Sequence, residues 1–138
     1  MNVNYNIDLT EDEYTSFDGD TIEDLKDFIY PDRFMDCCGY INNNGKTLCI
    51  AAVKEYGVYL GYSDSENEWL SLSDKNNLDK VVDVWGDGLY VSEGLFISPE
   101  IAWQCIYEFA TTGSIHYNIE WISPDELFDI TEDGNYII

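Results

Sequence analysis

Few side chains in this chain have the types and spacing that chemistry requires. His116 is the only imidazole, and no Ser or Cys stands in a context that would activate it as a nucleophile. Two of the 28 carboxylates could form a glycosidase-like acid and base, but so large a pool makes any particular pairing uninformative. Cys37, Cys38, Cys49 and Cys105 match no zinc spacing, and neighbouring Cys37 and Cys38 would point to opposite faces of a strand. All four read as reduced thiols of a cytoplasmic protein, with Cys49 and Cys105 in the core. The run "DITEDGNYII" sets Asp129, Thr131, Asp133 and Gly134 at calcium-loop offsets. Thr131 stands there where Asp or Asn is usual, so a hairpin turn at "EDGN" is the expectation. No glycine-rich phosphate loop is present. The inventory therefore points away from an enzyme and calls for no metal and no cofactor.

The charge is the outlier, with 28 acidic residues against 6 basic ones and a formal net of -22. A field of this sign repels nucleic acid and anionic membrane and speeds encounter with a basic partner. From Val81 to Ile138 there is no Lys or Arg, while Asp83, Asp87, Glu93, Glu100, Glu108, Glu120, Asp125, Glu126, Asp129, Glu132 and Asp133 are acidic. Trp69, Trp85, Trp103 and Trp121 with eleven tyrosines could stack single-stranded bases, but such platforms need a basic groove. Core or sheet-face packing is the expectation for the tryptophans, and direct nucleic-acid binding is not expected. Neither a secretion signal nor a membrane-spanning run is read in the sequence, which places the protein in the cytoplasm.

The elements that must position these residues are legible in outline. "NVNYNIDL" alternates Val3, Tyr5, Ile7 and Leu9 and predicts a strand. In "GDTIEDLKDFIYPD" Asp20 can cap a helix with Glu23 three residues on, and Ile22, Leu25, Phe28 and Ile29 form its apolar stripe up to Pro31. A strand around Cys37 to Ile41, the turn "NNNG" and the strand "KTLCIAAV" predict a hairpin, since Asn-Gly tolerates the positive φ of a tight turn. "VYLGYS", the polar loop "DSENE", "WLSLS", "KVVDVW", "LYVSEG" and "NYII" add further short strands and turns.

The second helix has clearer ends. Ser98 is an N-cap, Pro99 suits the first helical position, Glu100 complements the dipole, and Gly113 fits a left-handed cap. Ile101, Cys105 and Phe109, joined by Ala102 and Ile106, predict the buried stripe, and "IEW" the strand that follows. The whole is expected to be one α+β domain over residues 1–138: a mainly antiparallel sheet of about six or seven short strands with two principal helices, 20–30 and 99–112, packed on it.

The run "VVDVWGDGLYVSEGLFISPEIAWQCIYEFATTGSIHYNIEWI" resembles immunity protein family one of bacterial polymorphic toxin systems. The likeness rests on Glu93, the "ISPE" helix start, Glu108 with Phe109, "TTG" at the helix end and "IEW", with "GKTLCIAAV", "GVYLGY" and "EWLSLS" upstream in the same order. It covers roughly residues 40 to 122. Gly94 and the "SIHYN" stretch depart from it where proline is common. What the resemblance implies is a cytoplasmic immunity protein that binds the C-terminal domain of a cognate antibacterial toxin one-to-one and occludes its active site. Such toxins include deaminases and nucleases, which act on nucleic acid and need a basic substrate channel. The alternative is a general acidic adaptor or chaperone-like module for basic proteins, and a weaker third reading is a hydrolase with paired carboxylates.

Loops tolerate diversification, so the partner-binding residues are expected there. Two loops set carboxylates beside an aromatic anchor, the usual make-up of a hot spot against a basic channel. One offers Asp64, Glu66, Glu68 and Trp69; the other offers Trp85, Asp87, Tyr90 and Glu93.

Overall fold

The computed structural model describes residues 3–9, 16–19, 37–83, 90–115 and 119–126. The strands are β1 (Val3–Leu9), β2 (Ser16–Gly19), β3 (Cys37–Asn43), β4 (Lys46–Val53), β5 (Gly57–Ser63), β6 (Glu68–Leu72), β7 (Val81–Asp83), β8 (Tyr90–Ser92) and β9 (Glu120–Ile122), with the helix α1 (Pro99–Thr112) before β9. Seven strands form one sheet in the order β2-β1-β3-β4-β5-β6-β9, and β7 pairs with β8 in a separate ribbon. Every pairing is antiparallel. The fold is α+β, as the pattern of apolar residues predicts. The helix predicted over 20–30 and the strand "NYII" lie outside the described residues.

The β3–β4 hairpin turns on Asn44 and Gly45, at φ 53° and 84°, so both central residues hold the positive φ that the Asn-Gly pair tolerates. From there the sheet is packed on both faces. Ile41, Leu48, Ile50, Ala52, Val58, Leu60 and Tyr62 meet Ala102, Cys105, Ile106, Phe109 and Ala110 of α1. On the opposite face Ala51, Val53, Tyr59, Leu72 and Ile122 meet Leu78, Val91, Leu95 and Phe96. Burial on both sides explains why "IAAV" and "VYLGY" read as continuous apolar runs instead of alternating with polar residues. Trp69, Trp103 and Trp121 are half-buried against the α1 side of the core, whereas Trp85 lies outside the described residues.

Helix α1 has the ends its sequence predicts. Ser98 Oγ accepts from the Ile101 N–H at 3.3 Å, Pro99 opens the helix, and Gly113 closes it at φ 77° with its N–H donating to Phe109 O at 2.8 Å. The C-terminal turn is then fastened to the β3–β4 hairpin. Buried Asn43 donates from Nδ2 to Phe109 O at 2.9 Å and Ala110 O at 3.2 Å, and Lys46 Nζ donates to Gly113 O at 3.4 Å. Asn43 thereby gives Ala110 O a donor and Phe109 O a second one beside the Gly113 N–H, and a cation sits at the negative end of the dipole.

Two expectations about the core are corrected. Ile101 is 39% exposed and does not belong to the buried stripe. At 3.6 residues per turn it lies roughly 100° from the centre of the face formed by 102, 105, 106, 109 and 110. Cys49 is exposed, because it faces away from α1, paired with Tyr40 on a part of the sheet that the β7–β8 layer does not cover. Cys105 is buried as expected, and burial, with Glu108 nearby, pushes its thiol up to about 12. Cys38, Cys49 and Cys105 form no disulfide. Strand β2 was not expected: "SFDG" is four residues with one apolar side chain and a terminal glycine, which gives no alternation to read.

Before Gly61 the β5–β6 pairing gives way to side-chain bonds. Ser71 Oγ accepts from Leu60 N at 2.9 Å and donates to Leu95 O at 2.8 Å, tying β5, β6 and the 3-10 turn Glu93–Leu95 together. Val58 pairs instead with Ile97, with N–H to O distances of 3.0 and 2.8 Å. Gly94 is buried where a Cβ would collide with Asp74 O, so glycine is required for the two backbones to approach.

Candidate functional site

Four of the eight residues singled out in the sequence line one cleft. The turn between β5 and β6 forms one wall with Asp64, Glu66, Glu68 and Trp69, and the residues after β9, Ser123 to Asp125, form the other. The cavity is about 460 Å³. Its four carboxylates, Asp64, Glu66, Glu68 and Asp125, meet no lysine or arginine in the lining. Among the described residues no three His, Cys, Asp or Glu side chains come together as a metal set, so these carboxylates surround a space and do not converge on a point.

The turn is ordered by its own residues. Asp64 Oδ1 accepts from the N–H groups of Glu66 and Asn67, both at 2.8 Å, and Oδ2 accepts from the Tyr62 hydroxyl at 2.7 Å. Asp64 N donates to Asn67 O at 3.0 Å. A carboxylate accepting three hydrogen bonds is stabilised in its charged form. The Tyr62 hydroxyl, followed by the two backbone donors, accordingly holds Asp64 below the usual carboxylate range. Burial, followed by the bond to Asp64, pushes the Tyr62 phenol up to about 12. Tyr62 is itself anchored in the core, edge-on to Phe109 at 6.1 Å between ring centroids. Asp64 is thus committed to building the turn, while Glu66 and Glu68 beside it are exposed.

The other four residues are not brought to this cleft. Tyr90 is 46% exposed and pairs with Asp83 on the β7–β8 ribbon, and Glu93 opens the 3-10 turn with its N–H donating to Lys80 O at 2.7 Å. Trp85 and Asp87 lie outside the described residues. The residue missing from the sequence-based set is Asp125. It follows β9, far from the 64–69 turn in sequence, and only the antiparallel pairing of β6 with β9 sets the two walls side by side.

A second concavity, about 520 Å³, lies at the other end of the β6–β9 pair. Leu72, Phe96, Ile97, Ile101 and Ile119 supply its apolar lining, with Asp74, Lys75 and Glu120 among the polar residues. Lys75 Nζ is engaged by Glu126 Oε1 at 3.2 Å in an exposed ion pair. Its charge is offset there.

The acidic cleft can receive an ammonium or guanidinium group: carboxylates supply the counter-charge, and the Trp69 ring offers a face for a cation. Nothing in it pairs a nucleophile with a base, and His116 lies outside the described residues. No helix among the described residues is long and apolar enough to cross a membrane. Compared with family models, curated proteins and solved structures, the chain matches none.

Proposed function

We propose that this protein is an immunity-type inhibitor, which binds the catalytic domain of one antibacterial toxin in a one-to-one complex and occludes a basic, nucleic-acid-directed active site. The observation that carries this reading is the cleft between the β5–β6 turn and the residues after β9. It offers four carboxylates without a lining cation, a half-buried tryptophan, and a turn ordered before any partner arrives. Pre-ordering matters energetically, because side chains and loops fixed in advance lose less entropy on binding. The net charge of -22 acts at longer range and accelerates encounter with a basic surface. The resemblance of residues 40 to 122 to immunity protein family one supports the same reading from the sequence side.

Co-expression with the toxin domain encoded beside this chain, followed by size-exclusion chromatography, tests the proposal: one co-eluting peak is expected, and two separate peaks reject it. Because Asp64 builds the turn, charge reversal belongs on its exposed neighbours. Glu66→Lys with Glu68→Lys should leave the fold intact by circular dichroism and weaken the complex by an order of magnitude or more, about 1.4 kcal/mol per tenfold. An immunity complex should hold at a Kd of roughly nanomolar or below. Weak binding of many basic proteins, abolished by moderate salt, would instead establish a general acidic adaptor.

A further inference from the structure

On the sheet face turned away from α1, Tyr40, Cys49, Gly61 and Leu70 stand opposite one another on β3, β4, β5 and β6. The level before them, Ala51 and Tyr59, is buried in the cluster with Val91 and Phe96. The Tyr40 level lies beyond that cover. Tyr40 is 41% exposed, Cys49 is exposed, and Gly61 and Leu70 are half-buried. Two small residues between two large ones make a trough. Its walls, Tyr40 and Leu70, are three strands or roughly 14 Å apart, and Cys49 and Gly61 form its floor.

Gly61 is the residue of this trough that the fold leaves unexplained. Gly57 and Gly113 hold a positive φ, and Gly94 sits where a Cβ would meet Asp74 O. Gly61 has no positive φ, and a Cβ built on it would lie 3.4 Å from Leu70 Cδ2 and 3.8 Å from Cys49 Cβ, which is ordinary contact. The β4–β5 register runs through it without a bulge, from Thr47 opposite Ser63 to Val53 opposite Gly57. Glycine inside a strand costs stability, and where no bulge or bend uses it, it marks a place where another molecule comes close to the backbone. The next level toward the β5–β6 turn is polar, with Thr47, Ser63 and Glu68 in line. Exposed Glu68 also lines the acidic cleft, so the trough and the cleft share it as a border. Neither level contains a lysine or arginine.

We propose that the Tyr40–Leu70 trough is a docking surface for an aromatic side chain of the basic partner, laid flat on Gly61 with a lysine or arginine beside it that reaches Glu68. Leu70 and Glu68 are two residues apart on β6, about 7 Å, a span that an aromatic residue and a long cation on one partner segment can match. Aromatic residues and arginine are also the side chains that carry most binding energy at protein interfaces. A second copy of this chain is not the occupant, because a net charge of -22 on each copy opposes the approach. This rests on the inhibitor reading for the identity of the partner, though not for the chemistry of the trough.

The exposed thiol of Cys49 reports on the trough floor in the full chain. In the purified complex with the toxin domain, its alkylation by iodoacetamide, mapped by mass spectrometry at one pH, should be at least about ten-fold slower than in the free protein. Gly61→Val fills the floor with a residue that suits a strand, so it should keep or raise the melting temperature and weaken the complex about ten-fold or more. Tyr40→Ser removes an exposed wall, should leave the fold intact, and should weaken the complex in the same direction; it decides alone if the valine variant does not fold. The second probe is a short synthetic peptide alternating lysine and phenylalanine, set against a lysine and serine counterpart. Only the phenylalanine peptide should slow Cys49 alkylation in the free protein. A toxin complex with an unchanged Cys49 rate, or with full affinity in the folded variants, overturns the trough proposal and leaves the inhibitor reading standing. Absence of a toxin complex, with Cys49 protected by the phenylalanine peptide alone, overturns the inhibitor reading and sustains the trough. Absence of a toxin complex with protection by neither peptide, or equally by both, overturns the trough as well.

Discussion

Two turns of the same sheet are held in opposite ways. The β3–β4 turn is sealed by bonds from far away in sequence: Asn43 reaches Phe109 and Ala110, 66 and 67 residues on, and Lys46 reaches Gly113. The β5–β6 turn is held from within, by Asp64 bonding to Tyr62, Glu66 and Asn67, no more than three residues away. The first turn is part of the core and exists to fix α1. The second is shaped by these local bonds and leaves Glu66 and Glu68 exposed. A turn that presents charge to another molecule benefits from this independence, because it is ordered before binding and loses little in the complex.

The contrast predicts a graded set of mutational effects. Phe109 is fully buried beneath the sealed turn, so Phe109→Ala should destabilise the fold by about 3–5 kcal/mol in chemical denaturation. Folded protein at low temperature should still bind the proposed toxin partner; loss of binding with an unchanged melting temperature would make this helix an interface and erase the contrast. Asn43→Ala leaves two helix carbonyls without their buried donor and should cost about 1–3 kcal/mol by the same measurement. If it costs no more than an exposed substitution, the β3–β4 turn is not sealed by those bonds.

The local turn should reveal itself through pH more than through overall stability. Asp64 is depressed in the folded protein, so its contribution is present above the unfolded value of about 3.9 and is lost as pH falls through the lower folded value. Tyr62 is raised, so its contribution is complete below an ordinary phenol value of about 10. That contribution is lost as pH rises through about 12. Tyr62→Phe should therefore move the Asp64 titration upward, as read by carboxyl carbon NMR, with the global melting temperature little changed. An unmoved Asp64 titration would show that the backbone N–H groups alone hold the charge. Smallest of all, Lys75→Ala removes an ion pair exposed on both sides and should cost less than about 1 kcal/mol.

Much of the fold was legible because its signals are local. The caps of α1, the Asn-Gly hairpin and the strands β1, β3, β4, β5 and β9 are announced by residues that act within a few positions of one another. The acidic loop with Trp69 was legible for the same reason. Cys49 was misjudged because β4 buries both faces over part of its length, and an apolar run does not say where the cover ends. Ile101 was misjudged because a spacing of four drifts around a helix, and only the sheet beneath decides which side of the drift is covered.

The sequence by itself determined the class of the fold, the ends of its main helix and the sign of its charge, all of which follow from nearest neighbours or from totals. Tertiary structure alone decided that Asp125 stands across from Glu66 and Glu68 and that Tyr90 and Glu93 stand apart from them. Those relations depend on strand order and register. Strand order pairs segments as distant as β6 and β9, and the free energy that selects it comes from burying two faces of one sheet at once, a sum over many residues that no short stretch contains.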